Sequence, residues 1–156
     1  WILDSIERLV RRNKFEPSKV FNFDAAGTVY SRVEALGAGT GMVGYAWNAL
    51  REAFYGEQAD RIVLLTYESL TANPAAAMAA LYGFIGAPAF EHDFDNVAFD
   101  AVEFDARLGT PGLHTVGDAV RAIERQTVLP PDLFRRVEQD SFWLDASQNL
   151  RGVRII

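Results

Sequence analysis

The apolar run IVLL, residues 62–65 within RIVLLTYESLTANP, constrains the fold more than any other stretch of the chain. Four contiguous apolar residues without polar alternation fit a short strand covered on both faces, the pattern of parallel sheets in α/β proteins. The run finishes in Tyr67 and Glu68. Asn73 then caps a helix that has Pro74 at its first position. Helix, strand and helix in that order predict a three-layer α/β domain with a parallel sheet. Ligands in such sheets bind beyond the carboxyl ends of the strands, where Tyr67 and Glu68 stand. Tyr67 can offer a ring or a hydroxyl to a flat aromatic ligand, and it can equally pack the strand end against the next helix.

Helical spacing organises much of the remainder. WILDSIERLVRRN places Ile2, Leu3, Ile6, Leu9 and Val10 on one stripe, with Asp4–Arg8 and Glu7–Arg11 as i,i+4 pairs on the wet side. Ser5 borders that stripe on the edge shared with Arg8 and Arg12, where a hydroxyl and guanidinium groups can share a phosphate; a solvated helix face reads the same way. VFNF at residues 20–23 suggests a short strand, residues 28–36 a helix, and GAGTG at residues 37–41 a linker that lacks the lysine of a phosphate loop. Val43, Ala46, Trp47, Leu50 and Phe54 form the expected buried face of a helix over residues 43–55, with Gly56 at its end. Met78, Leu81, Tyr82 and Ile85 do the same for the helix opened by Pro74, which Gly86 stops.

Beyond Pro88 the pattern changes. Phe90, Phe94, Phe99 and Phe104 alternate with acids over residues 90–105, predicting an irregular excursion pinned across the domain surface, whose aromatics pack into the core or, alternatively, help shape an acceptor site. GTPGLHTVG, residues 109–117, reads as a loop. VGDAVRAIERQ reads as a short helix, and LPPDLFRRVEQDSFW as a last helix with Leu133, Phe134, Val137 and Phe142 inward. His92, Asp93 and Asp95 are metal-capable, yet no ligand spacing joins them to His114, the other histidine, so no metal is expected. His114 can donate to phosphate, act as a base, or hold its loop through backbone carbonyls.

Charge and composition exclude several classes. A net charge of −6 disfavours nucleic-acid binding, which needs a basic face. The absence of cysteine removes disulfides, zinc-thiolate sites and thiol catalysis, and suits a cytoplasmic protein. No run is long enough for a membrane-spanning helix. The 156 residues fit one domain. The chain begins with Trp1 inside a helical pattern, so the expectation is the C-terminal portion of a longer domain.

Several blocks together resemble a known family. RIVLLTYESLTANPAAAMAALYGFIG is similar to the strand, Tyr-Glu/Asp-x-Leu turn and Asn-Pro-opened helix of sulfotransferases that use 3′-phosphoadenylyl sulfate (PAPS). GLHTV with TVLPPDLFRRVEQDSFW resembles the C-terminal part of a bacterial branch, and WILDS resembles the segment that holds the cofactor's 3′-phosphate. The resemblance implies a P-loop-like α/β fold, PAPS as co-substrate without a metal, and transfer of a sulfuryl group to a hydroxyl or amine of a small-molecule, glycan or peptide acceptor. It matches Ser5 to the 3′-phosphate serine, Tyr67 to the tyrosine lining the adenine pocket, and Gly112, Leu113 and His114 to a loop closing over the cofactor. It also implies that the phosphosulfate loop and the catalytic base precede Trp1, so the chain alone would be inactive. A different P-loop kinase or transferase is the second reading, and a non-catalytic protein-binding domain built on residues 90–105 is the third.

Overall fold

The structure, a computed structural model, describes residues 1–12, 27–97, 99, 101–108, 114 and 116–156. The strand expected at residues 20–23 lies outside them. In chain order the elements are α1 (Ile2–Arg12), α2 (Val29–Gly37), α3 (Met42–Tyr55), β1 (Val63–Leu64), α4 (Tyr67–Ala72), α5 (Pro74–Ile85), α6 (Val102–Leu108), α7 (Pro131–Gln139) and β2 (Arg154–Ile155). Among the described residues, the 3₁₀ turns Ala59–Arg61, Phe142–Leu144 and Ala146–Gln148 join them. The chain divides into two compact units, one of Trp1–Ile62 with Arg125–Val153 and the other of Val63–Glu124 with Arg154–Ile156.

The first unit is helical. Leu3, Val33, Leu36, Leu129 and Leu133 are its buried core, with Ile6, Val29, Val43, Phe134 and Val137 packed around them. Thr28 starts α2 by a reciprocal capping pair: its Oγ1 accepts from the Ser31 N–H (3.1 Å), and its own N–H donates to Ser31 Oγ (3.0 Å). Phe54 is fully buried. The Phe142 ring lies 5.0 Å from that of Phe54 and 5.4 Å from that of Trp47, so these aromatics fix the end of α3 against the turn after α7. Ala46, expected inside, is exposed, and Gly44 is the buried residue of that turn.

The largest departure from the sequence reading is on α1. Ile2 is 67% exposed, whereas Asp4 and Glu7, expected on the wet side, are buried. Asp4 accepts from Arg8 Nε (2.8 Å), Thr127 Oγ1 (2.8 Å) and the Val128 N–H (2.6 Å). Glu7 accepts from Arg32 Nε (2.9 Å) and Nη2 (2.8 Å) and from Arg11 Nε (3.3 Å). The same arginines reach back to carbonyls, Arg8 to that of Gln126 and Arg11 to that of Val128 (2.6 Å). Buried carboxylates are tolerated only when paired in this way. They clamp residues 126–128, a segment with no helix or strand partners of its own, to α1.

The helix expected at VGDAVRAIERQ does not form. Its backbone is committed elsewhere: the Val120 N–H donates to the Phe94 carbonyl (2.7 Å), and the Asp118 carbonyl accepts from Val97 (2.8 Å). These pairs hold two irregular stretches of the second unit side by side. The excursion over residues 90–105 is irregular only in part, because α6 begins at Val102. Its aromatics do not enter the core as expected: Phe90, Phe99 and Phe104 are exposed, and Phe94 is half-buried.

A parallel two-stranded ladder anchors the second unit, with Val63 opposite Arg154 and Leu64 opposite Ile155. β1 is shorter than the expected strand, and both of its residues are half-buried rather than covered on two faces. β2, which the sequence does not announce, extends the ladder through the Ile156 N–H, which donates to the Leu64 carbonyl (2.8 Å). α5 starts and stops where the sequence predicts. Asn73 Oδ1 accepts from the Ala76 N–H (3.2 Å), Pro74 takes the first position, and Gly86 closes the helix at φ 67°, a left-handed conformation suited to glycine. Ala77 is its buried residue, with Met78, Leu81 and Tyr82 half-buried and Ile85 exposed.

Candidate functional site

The carboxyl end of β1 is built by Thr66. Its N–H and Oγ1 both donate to the Ile156 carbonyl, at 2.8 and 2.9 Å. The same Oγ1 accepts from the Ser69 N–H (3.2 Å), capping α4. One residue therefore ties the end of the ladder to the start of a helix. Thr66 is thus the tether of this turn, and a threonine three residues before Ser69 is the signal for it. Glu68 is exposed in the first turn of α4, where a negative charge favours the helix dipole.

This junction presents Tyr67 as the first residue of α4. Its side chain is 53% exposed, and its hydroxyl has no hydrogen-bond partner among the described residues. Its carbonyl accepts from Thr71 Oγ1 (2.8 Å), which steadies the backbone beneath the ring. The ring is therefore not buried against the following helix.

Ser5 is exposed on the first turn of α1, with its N–H donating to the Trp1 carbonyl (2.9 Å). The arginine edge beside it is less available than the sequence suggests. Arg8 is committed to Asp4 and Gln126, while Arg12 is exposed. Asp4 itself stays ionised: burial pushes its carboxyl up, but the Arg8 guanidinium, the Val128 N–H and the Thr127 hydroxyl together hold it below the ordinary 3.8. Ser5 belongs to the first unit, and Tyr67 and His114 to the second.

Of the expected closing loop, Gly112 and Leu113 fall outside the described residues, and His114 is described. Its N–H donates to Asp105 Oδ2 (3.0 Å), and its Nδ1 meets Asp105 Oδ1 at 2.5 Å. The carboxylate is buried and the histidine side chain is 43% exposed. Sequence reasoning finds the histidine and misses its partner, which reads as one of the acids of the excursion. The Phe104 ring sits 5.3 Å from the imidazole.

His92, the other histidine, is a packing residue. Its Nε2 lies 2.9 Å from the Tyr82 hydroxyl, and its ring is flanked by Phe90 and Phe94. Among the described residues no cluster of three metal-ligating side chains occurs, and no helix is long and apolar enough to cross a membrane.

A comparison with family models matches residues 8–105 to one described as a sulfotransferase domain. The matched span covers more than half of the chain and runs through parts of both units. Tyr67 and Asp105 lie inside it; Ser5 and His114 lie outside. No curated protein and no solved structure matches the chain significantly.

Proposed function

The chain belongs to the sulfotransferase family, whose chemistry is sulfuryl transfer, and we propose that its donor is PAPS and its acceptor a hydroxyl or amine. On this reading the chain belongs to a cytoplasmic enzyme of the bacterial branch with a P-loop-like α/β fold. The acceptor is a small molecule, a glycan or a peptide.

The observation that carries the reading is the exposed Tyr67 ring, set by Thr66 at the carboxyl end of a parallel strand. That is where a ligand meets an α/β sheet. A rigid ring held at one edge suits stacking on a purine, and its unspent hydroxyl suits a bond to the base edge. Ser5 is assigned to the 3′-phosphate, a hydroxyl donating to a charged oxygen. Gly112 and Leu113 are assigned to the loop beside the cofactor. Catalysis then rests on holding donor and acceptor in line and on stabilising charge at the bridging oxygen.

Two substitutions test the placement. Tyr67→Ala is expected to raise the Kd for adenosine 3′,5′-bisphosphate about tenfold, the worth of one base stacked on an aromatic ring. Tyr67→Phe keeps most of that affinity if stacking dominates, and loses it if the hydroxyl bonds the base. Ser5→Ala should weaken adenosine 3′,5′-bisphosphate but leave adenosine 5′-phosphate, which lacks the 3′ group, unchanged. Calorimetric titration reads all three variants. Unaltered affinity in both Tyr67→Ala and Ser5→Ala would show that neither side chain meets the nucleotide.

A further inference from the structure

We propose that Asp105 and His114 form a proton-transfer pair, in which His114 Nε2 takes the proton from the hydroxyl of an acceptor that carries an apolar ring. This rests on the sulfuryl-transfer reading above. The two-point grip is the starting observation. Asp105 receives both the backbone N–H and the ring Nδ1 of His114, so one buried carboxylate fixes the residue's backbone and its ring plane together. An ionised carboxylate only accepts hydrogen bonds. With the Asp105 carboxylate ionised, Nδ1 carries the ring proton, and in the neutral imidazole Nε2 is left as a lone-pair acceptor. Nε2 has no hydrogen-bond partner among the described residues, and the side chain is substantially open to solvent.

A histidine serving only to satisfy a buried acid needs no such exposure. The arrangement found here is the one in which a carboxylate sets the tautomer of a base and stabilises the imidazolium that forms. The flanking Phe104 ring, itself exposed, offers an apolar face to a ring-bearing acceptor. Among the described residues, Asp105 is a charged group in contact with the imidazole. Glu103 and Arg107, on the same helix, pair with each other.

The step balances without a further reagent. The acceptor O–H bond breaks and its proton goes to Nε2. The freed oxygen pair forms the new O–S bond, while the S–O bond to the donor's phosphate breaks and its electron pair leaves on the phosphate oxygen. Imidazolium beside carboxylate is the resulting state of the pair.

The test uses the full-length protein with PAPS and 2-naphthol, following release of adenosine 3′,5′-bisphosphate. His114→Asn should lower kcat about 100-fold while leaving the Kd of adenosine 3′,5′-bisphosphate within about twofold. Asp105→Asn should lower kcat as well. Nitrogen-15 NMR gives a readout apart from activity. With only two histidines, a His92→Asn variant assigns the spectrum, and the unsubstituted protein should show His114 as its Nδ1–H tautomer. An Nε2–H tautomer overturns the proposal. So does unchanged kcat in His114→Asn, or loss of kcat together with nucleotide affinity, which would make His114 a cofactor contact. A protein that binds the nucleotide but does not turn over 2-naphthol overturns it too. Failure to bind adenosine 3′,5′-bisphosphate would instead refute the donor reading on which the proposal stands.

Discussion

Replacing Asp4 with alanine destabilises the first unit by about 3 to 5 kcal/mol, the usual cost of removing one partner from a buried ionic cluster. The carboxylate is fully buried, and three donors converge on it. Alanine leaves the Thr127 hydroxyl and the Val128 N–H without an acceptor in a place water does not reach, and it leaves Arg8 without its counter-charge. Each such loss is expensive because the group gave up hydration to be there. Asp4→Asn should cost less. Its carbonyl oxygen can still accept from Thr127 and Val128, but its amide then faces the Arg8 guanidinium, donor against donor. Urea unfolding followed by tryptophan fluorescence reads the effect cleanly, since Trp1, Trp47 and Trp143 all lie in the first unit.

The same carboxylate gives the first unit an acid limb. Its folded pKa is held below the ordinary value, so its stabilising contribution is complete above the unfolded pKa and fades as pH falls through the folded one. As pH falls below the ordinary 3.8 the parent should therefore lose more stability than Asp4→Asn does. Equal losses would mean that Asp4 is not ionised in the folded chain.

Gly44→Ala is expected to destabilise the first unit by about 3 kcal/mol, at the upper end of the cost of overpacking. Helix propensity alone predicts the opposite sign, since alanine exceeds glycine by about 1 kcal/mol in a helix interior. The close approach of α3 to the end of α2 decides the matter. A Cβ on Gly44 would lie under 3.0 Å from the carbonyl oxygens of Gly37 and Ala38. Those are backbone atoms and cannot swing aside as a side-chain tip would. Gly41 makes a similar approach to the carbonyls of Ala35 and Leu36. The residues whose sequence reads as a flexible linker are thus the place where two helices meet backbone to backbone. Gly83, in the last turn of α5, is the control: a Cβ there would meet nothing within 4 Å, so alanine should stabilise.

Where local rules govern, the sequence was readable. The periodic apolar residues of α2 and α7, the Asn73–Pro74 start of α5 and its Gly86 stop depend on neighbours within a turn or two. So did the placing of Tyr67, because the end of an apolar run marks the end of a strand. Long-range pairing was not readable. Asp4 and Glu7 follow the i,i+4 pattern of an exposed ion-paired face, and their burial is set by Thr127, Val128 and Arg32, which no local spacing announces. β2 is two residues long and carries no pattern of its own. Asp105 looks like one more solvating acid until the chain returns His114 to it. Thr66 is legible as a cap, but its second bond to Ile156 depends on a strand that the sequence does not reveal.

The central claim is the donor, and the most direct measurement is thermal unfolding of the full-length protein with adenosine 3′,5′-bisphosphate and, in parallel, with ATP. Binding to the folded state alone stabilises by about 2.7 kcal/mol at a ligand concentration roughly 100 times Kd. A rise in Tm that grows with adenosine 3′,5′-bisphosphate and is much smaller with ATP is the result expected here. No rise at saturating adenosine 3′,5′-bisphosphate, or an equal or larger one with ATP, would contradict it.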